Sequence, residues 1–455
     1  MRFNLATPSL PLVALGLAVL VTAAPADAQT SAPVELSGFP FRLNDNGDIA
    51  GWVFVGANAH PAIYRGGSWQ DLGVPAGDQL GVLYGINSNG AAVGWSFFTD
   101  GAPYPDTDNR WSAIRAPEGA SSTQLLSELT PDSLAYAIND DGAIVGCRSR
   151  YDDSFPDPNR AFLLTGGSVT NLHATIVAAA RPADPTPNDN DHTCAFDINT
   201  AGDIVGYVSV SGENQHGFLY RAGVVSVLAR DFQTFLSNAK AVNDAGKVVG
   251  DGILPGFAAP HALAYDAGTR AISSLGLEAK GASSSTANDV NGLGDVIGTM
   301  IVSGQERAFL AAAGQAFDLN ALLPSGSDWV LQQAFTVNRQ RQIAGVGYRT
   351  GSPGTTRYFL WTVTLTPTQL ITSLIQAVRD LVSAGTLASG NGNALIVKLE
   401  AALAEIAAGN VGGAISKLLS FISQVAAFVQ TGKLTAAQGQ SLTDAANGII
   451  GALTS

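Results

Sequence analysis

The sequence predicts a mainly β fold: a seven-bladed β-propeller of four-stranded blades, followed by a small all-α four-helix bundle. Three observations lead there: a hairpin motif that recurs seven times, a second pair of short strands after most copies, and a switch near Thr366 to helical periodicity. The copies read LNDNGDIAG from Leu43, INSNGAAVG from Ile86, INDDGAIVG from Ile138, INTAGDIVG from Ile198, VNDAGKVVG from Val242, VNGLGDVIG from Val290 and VNRQRQIAG from Val337. Their asparagines, Asn44, Asn87, Asn139, Asn199, Asn243, Asn291 and Asn338, are 43, 52, 60, 44, 48 and 47 residues apart.

Within each copy an apolar residue precedes Asn, a polar turn follows, and an apolar segment ends in Gly seven residues after Asn. Asn and Gly supply the backbone angles of a tight reversal while Ile and Val favour strands, so the nine residues predict a hairpin. The last copy has Arg341 where the others have Gly, which predicts a different or strained turn there. A second strand pair follows in PAIYRGGSWQDL at 61–72, RAFLLTGGSVTNL at 160–172, HGFLYRAGVVSVL at 216–228 and RAFLAAAGQAFDL at 307–319. Four short antiparallel strands per repeat make a propeller blade; a linear solenoid is the alternative, but seven blades can close into a ring and remove exposed sheet edges. The seventh copy lacks a fourth strand, and PVELS at 33–37 stands before the first hairpin to supply it, so the ring is placed at 31–365.

From Thr366 the segment TPTQLITSLIQAVRDLV carries an N-cap, Pro at the first helical position and Gln369 three residues after the cap. Similar patterns at 393–409, 411–432 and 435–453 complete four amphipathic helices in an accessory domain at 366–455, with the Gly-rich 409–414 as a hinge or frayed end.

With 455 residues the chain is long enough for at least two folding units. Its apolar share of 46% argues against disorder, and its net charge of -13 repels a phosphate backbone, so nucleic acid is excluded as a nonspecific partner. Arg2, the apolar run Leu10 to Val21 and Ala26-Asp27-Ala28 predict a signal peptide at 1–28, hence a secreted or periplasmic fate with possible attachment to the cell surface. That run is too short to span a membrane and no later run is expected to qualify, so no transmembrane span is predicted after signal removal. Cys147 and Cys194, placed in an oxidising compartment, either form one disulfide or are two buried small hydrophobes.

The Asn-x-x-Gly-x-x-x-Gly hairpins, with RAF at 160–162 and 307–309, HGF at 216–218, HAL at 261–263, HPAIY at 60–64 and RYF at 357–359, resemble bacterial extracellular proteins with HAF-type repeats. The tail, through KLEAALAEIAAGN at 398–410, LLSFISQVAAFVQTGKLTAAQG at 418–439 and AANGII at 445–450, resembles the FIMAH-type helical modules of secreted bacterial proteins. Neither resemblance attaches a catalytic constellation; the second implies a docking, spacing or stability element.

If the Asn hairpins join the first two strands of each blade, the connections 97–110, 150–159 and 180–193 all emerge on the opposite face, around blades two to four. They carry Asp100, Asp106, Asp108, Asp152, Asp153, Asp157, Asp184, Asp189 and Asp191, with Phe97, Phe98, Tyr104, Trp111, Tyr151 and Phe155 nearby. Carboxylates suit Ca²⁺ or a basic partner, and aromatic faces suit sugar rings or a protein, though no complete DxDxDG loop is present and solvated loops over packed aromatics are the plain alternative. A transition-metal site at His192, Asp191 and Cys194, with His173 and His216 elsewhere in the repeats, competes with ordinary packing histidines. The recurrent Asn residues are read as structural, their amides satisfying the turns beside the axis.

No HExxH, GxSxG or P-loop spacing occurs. The expectation is noncatalytic binding or display, of a glycan or envelope component, with no required cofactor. The alternatives are a carbohydrate-processing enzyme using paired loop carboxylates, and a scaffold whose helices dock a protein partner.

Overall fold

The computed structural model describes residues 31–454 except 99–109, 130–131, 149–150, 153–154, 157–159, 183–184, 189, 212–214, 232–233, 313–314 and 384. Seven antiparallel sheets in chain order form the blades, and four helices follow. Blade 1 runs Phe39–Leu43, Ile49–Val55, Asn58–Arg65 and Ser68–Asp71, each strand hydrogen-bonded to the next. Blades 2 to 6 repeat that order, with inner strands Leu80–Ile86, Ser133–Ile138, His192–Ile198, Thr234–Val242 and Ala282–Val290. Blade 5 carries an extra short strand, Ala229–Asp231, beside its inner one.

Blade 7 contributes Trp329–Val337, Gln342–Arg349 and Ser352–Thr362, and its fourth strand comes from the other end of the chain. This strand, β1 (Val34–Leu36), pairs antiparallel with 358–360, as the missing strand at 33–37 required. Side chains fasten the seam: Trp329 Nε1 donates to the Pro33 carbonyl at 3.1 Å, Trp361 Nε1 to the Ser31 carbonyl at 2.8 Å, and Arg357 pairs with Glu35.

The repeat motif has a physical reading at each position. The Ala and Phe of the third strand fill the spaces between blades: Ala161, Phe162, Phe218, Ala308, Phe309 and Phe359 are all buried. The basic residue before them reaches the outer strand or the loop beyond it, as Arg307 does to Asp318 at 2.6 Å, His60 to Asp71 at 3.2 Å and His261 to Glu278 at 3.2 Å.

The Gly seven residues after Asn is required by a close approach. A Cβ on Gly51, Gly94, Gly146, Gly206, Gly250, Gly298 or Gly345 would fall 1.8 to 2.1 Å from the carbonyl oxygen of the residue five before Asn. That carbonyl is driven inward by a bulge, for each inner strand slips register three residues before Asn, between Pro40 and Arg42 in blade 1 and at the matching place in all the others.

The seventh turn keeps the shape of the rest. Arg341 N donates to the Asn338 carbonyl at 3.0 Å, as the turn glycines do, and it adopts φ 55° where Gly142 has 77° and Gly202 has 82°. The expectation of a different turn is therefore corrected; the strain falls on a non-glycine residue in the left-handed region, and its guanidinium bonds Asp295 of blade 6 at 2.8 Å.

Cys147 and Cys194 are disulfide-bonded, with Cα atoms 4.9 Å apart, and join the second strand of blade 3 to the inner strand of blade 4. Between those blades lies helix α1 (His173–Ala180), whose Ile176 and Val177 are buried.

The tail forms α2 (Pro367–Ser383), α3 (Ser389–Ala407), α4 (Val411–Gln430) and α5 (Ala436–Thr454) around one core that includes Leu374, Val378, Leu399, Leu418, Phe421 and Ala446. Thr366 and Gln369 close a reciprocal capping box (3.1 and 2.7 Å), Thr435 and Gln438 repeat it, and Asn410 caps α4, so within 409–414 only Gly409 and Asn410 belong to the tight inter-helix turn and 411–414 open the helix. Leu370 packs against the hydrophobic cluster of blades 6 and 7. One expectation is corrected here: α4 is long and apolar enough to cross a membrane, although it buries Ala414, Leu418, Phe421, Val425 and Phe428 within the bundle.

Candidate functional site

The inner strands converge on the propeller axis, and three layers follow one another along it. The first is a ring of the seven motif asparagines. Asn44 Nδ2 donates to the Asn87 carbonyl, Asn87 to Asn139, Asn139 to Asn199, Asn199 to Asn243, Asn243 to Asn291, Asn291 to Asn338 and Asn338 back to Asn44, at 2.9 to 3.1 Å. Each Oδ1 accepts the backbone N–H four residues on. With donor and acceptor both used, these side chains close the ring and hold the turns. A cavity of about 180 Å³ opens at this end, walled by the ring and floored by Arg42 and Asp289.

The second layer is an ion triad. Arg42 reaches across the axis to Asp197 at 2.8 Å and Asp289 at 3.1 Å, linking blades 1, 4 and 6. Asp197 also accepts from the Val242 N–H at 2.9 Å, while Asp289 accepts from Val337 N and the Thr336 hydroxyl at 2.9 Å. Burial works against the Arg42 charge, but the two carboxylates outweigh it and hold the guanidinium above its ordinary range. Burial pushes Asp197 upward, opposed by Arg42 and the Val242 amide.

The third layer lies at the far end, on the face opposite the Asn turns. The bulge residues three before Asn are Phe41, Tyr84, Tyr136, Phe196, Lys240, Asn288 and Phe335. Phe41 meets Tyr84 with ring centroids 4.5 Å apart, Tyr84 meets Tyr136 at 5.1 Å, and Tyr136 meets Phe196 at 5.5 Å. Phe39 joins Phe41, Trp52, Phe335 and Tyr358; Trp95 packs 6.4 Å from Tyr84; Tyr207 packs 5.5 Å from Phe196. All these rings are half-buried, forming an aromatic crescent through blades 7, 1, 2, 3 and 4. Burial holds the Tyr84 and Tyr136 hydroxyls above the ordinary tyrosine value, so both stay neutral. Blades 5 and 6 interrupt the crescent with Lys240 and Asn288.

Of the candidate residues read from the sequence, Trp111 joins the crescent, packing edge-on to Trp95 at 4.5 Å and beside Phe97 at 4.7 Å. The strand ends that flank 99–109 and 149–159 open on this face. Tyr151, Asp152 and Phe155 belong to a short hairpin between the second and third strands of blade 3. Tyr104, Asp106, Asp108, Asp153, Asp157 and Asp189 lie outside the described residues, as does the segment 1–28.

Asp191 is buried, bonded to Arg181 at 3.0 Å and to the Asn188 and Ser211 amides at 2.8 and 3.1 Å. Burial alone would raise its carboxyl, but these partners hold it below the usual range. His173 is buried against the Thr193 hydroxyl at 2.9 Å, and burial lowers its pKa to about 4. With Cys194 in the disulfide, the His, Asp and Cys grouping is structural; among the described residues no group of three or more His, Cys, Asp or Glu side chains could hold a metal ion.

The crescent residues were missed because a bulge sets their phase. The available signal was the aromatic three residues before Asn in five of the seven copies.

Residues 371–451 match the family model of the FIMAH domain. The C-terminal segment is a FIMAH-type helical module. The FIMAH match ends short of the propeller, and no curated protein sequence matches the chain. Among solved structures the chain is similar to the acylaminoacyl peptidase of Pyrococcus horikoshii, at 13% identity and TM-score 0.45 over 71% of this chain and 51% of that one. It is also similar to the β-propeller domain of the trilobed protease from Pyrococcus furiosus (8%, TM-score 0.45, 72% and 94%) and to TolB from Acinetobacter baumannii (12%, TM-score 0.34, 72% and 79%). The chain spans about half the length of the first peptidase. At these identities and scores the likeness says nothing about activity, substrate or location.

Proposed function

We propose that this protein is an exported, noncatalytic carbohydrate-binding protein of the HAF-repeat type, taking a glycan or envelope component on the aromatic crescent, with the FIMAH module as an accessory docking element. The observation that carries the reading is the arc of half-buried rings along one side of the axis, on the face where the acidic loops of blades 2 and 3 begin and end. Flat apolar rings of this kind bind the C–H faces of sugars, and their rigidity keeps the entropic cost of ordering low. Export rests on the N-terminal pattern at 1–28, with the Cys147–Cys194 disulfide in keeping with an oxidising compartment. The axial carboxylates lend no support to hydrolysis, because Asp197 and Asp289 are already engaged with Arg42 and backbone amides.

The test is binding of the purified mature protein to immobilised glycans and envelope components, with Ca²⁺ or with chelator, beside Trp95→Ala and Tyr136→Ala. Saturable binding lost by more than tenfold in both variants is expected, with no new products on incubation. Binding that survives both substitutions would move the site off the crescent. A replacement of Asp106, Asp108, Asp152, Asp153 and Asp157 by Asn reports whether the loops and Ca²⁺ take part.

A further inference from the structure

The face around the axis is not uniformly aromatic, and its polar part is organised. The bulge residue three before Asn has as neighbours on its own blade the residues five before Asn and eight after it, which pack with it in blades 1 and 5. In blade 1 the three positions hold Phe39, Phe41 and Trp52; in blade 5 they hold Asn238, Lys240 and Asp251, and in blade 6 Thr286, Asn288 and Thr299. Of these, Asn238, Lys240, Asp251 and Asn288 form one connected set. Lys240 Nζ lies 3.3 Å from Asp251 and 3.5 Å from Asn288 Oδ1, Asn238 Nδ2 donates to Asp251 at 3.1 Å, and Gln215 donates to Asn238 at 2.7 Å.

The charge within this set is already balanced, one ammonium against one carboxylate. An anionic ligand would have to compete with Asp251 for Lys240, and a cationic one with Lys240 for Asp251. Hydroxyls need neither, since they donate to and accept from amides and threonine without disturbing the pair. The overall charge of -13 works further against an anionic polymer.

We infer that the polar sector of blades 5 and 6 selects an uncharged, hydroxyl-rich sugar whose ring faces lie on the crescent, with the Lys240–Asp251 pair excluding uronates and amino sugars. This rests on the carbohydrate reading above and adds its specificity. The ligand end group is thereby held between a stacking wall and a hydrogen-bonding wall.

The experiment uses the full mature chain with matched hexamers: cellohexaose and maltohexaose as neutral probes, oligogalacturonate as the anionic probe and the glucosamine hexamer as the cationic one. A neutral hexamer is expected to bind at least tenfold tighter than either charged one. Asp251→Asn, which frees the ammonium, should raise oligogalacturonate affinity about tenfold, and Lys240→Met should do the same for the glucosamine hexamer, each a gain that misfolding cannot mimic. Charged hexamers binding as tightly as neutral ones, or charge variants that leave the ranking unchanged while Trp95→Ala abolishes binding, would overturn the inference and leave the carbohydrate reading standing. No binding to any hexamer, with a peptide library binding instead, would overturn both.

Discussion

The side-chain amide of Asn338 donates to the Asn44 carbonyl oxygen at 3.0 Å, a bond between residues 294 positions apart that turns a row of hairpins into a closed ring. The six other bonds of the ring are of the same kind, so no member is privileged. Replacing either Asn338 or Asn139 by Ala should cost about 2 kcal/mol, since each leaves a turn amide without its partner and takes from a buried carbonyl one of its two donors, the turn N–H remaining. Urea denaturation of both variants checks this. A loss under about 0.5 kcal/mol at both sites would mean that the ring adds little to folding.

A second expectation concerns the bulged inner strands. Gly206→Ala sets a Cβ 1.9 Å from the Cys194 carbonyl and should destabilise by about 3 kcal/mol through backbone displacement. Gly142→Ala meets no atom within 4 Å and should cost only about 1 kcal/mol, from its positive φ. Midpoints in the reverse order would contradict the close-approach account.

The axial triad makes a further expectation. Arg42→Met strands two buried carboxylates and should cost about 3 to 5 kcal/mol, whereas adding Asp197→Asn and Asp289→Asn to it should recover part of that loss. A triple variant less stable than Arg42→Met alone would show that the carboxylates are held by their amide partners rather than by the guanidinium.

The pH dependence follows from His173. Its folded pKa is depressed to about 4 from an ordinary 6.5, so the unfolded chain binds a proton across that window and the folded chain does not. The stability from keeping it neutral is fully present above pH 6.5 and is lost as pH falls towards 4, by roughly 3 kcal/mol in all. Denaturation midpoints of wild type and His173→Gln across that range check the sign, and parallel curves would remove His173 as the cause.

Much of the architecture was legible because the repeat is written in residues with narrow physical uses. Asn44 and its equivalents, the turn glycines and the Ala-Phe strand fixed blade number, strand count and the closing role of 33–37, and Thr366 with Gln369 marked the first helix. The site was less legible. Alternation along the inner strand does not show that Phe41, Tyr84 and Tyr136 border the axis, because a bulge breaks the phase there. Nor does composition separate an acid such as Asp191, consumed by Arg181 and two amides, from one that faces solvent. The apolar length of α4 was likewise missed, because its serines and glycines break up the run by eye.

The closing strand β1 has a consequence for how the protein is made. Its partner, residues 358–360, is the last strand of the ring, so the segment synthesised early must wait while more than three hundred further residues are polymerised. At about 5 to 20 residues per second that delay is on the order of tens of seconds. Throughout it the strand of blade 7 that Val34 to Leu36 pair with does not yet exist, so completion of the ring comes late, when only the helical tail is still to be made. Six blades can assemble in order behind the ribosome; the seventh is finished by the oldest part of the chain.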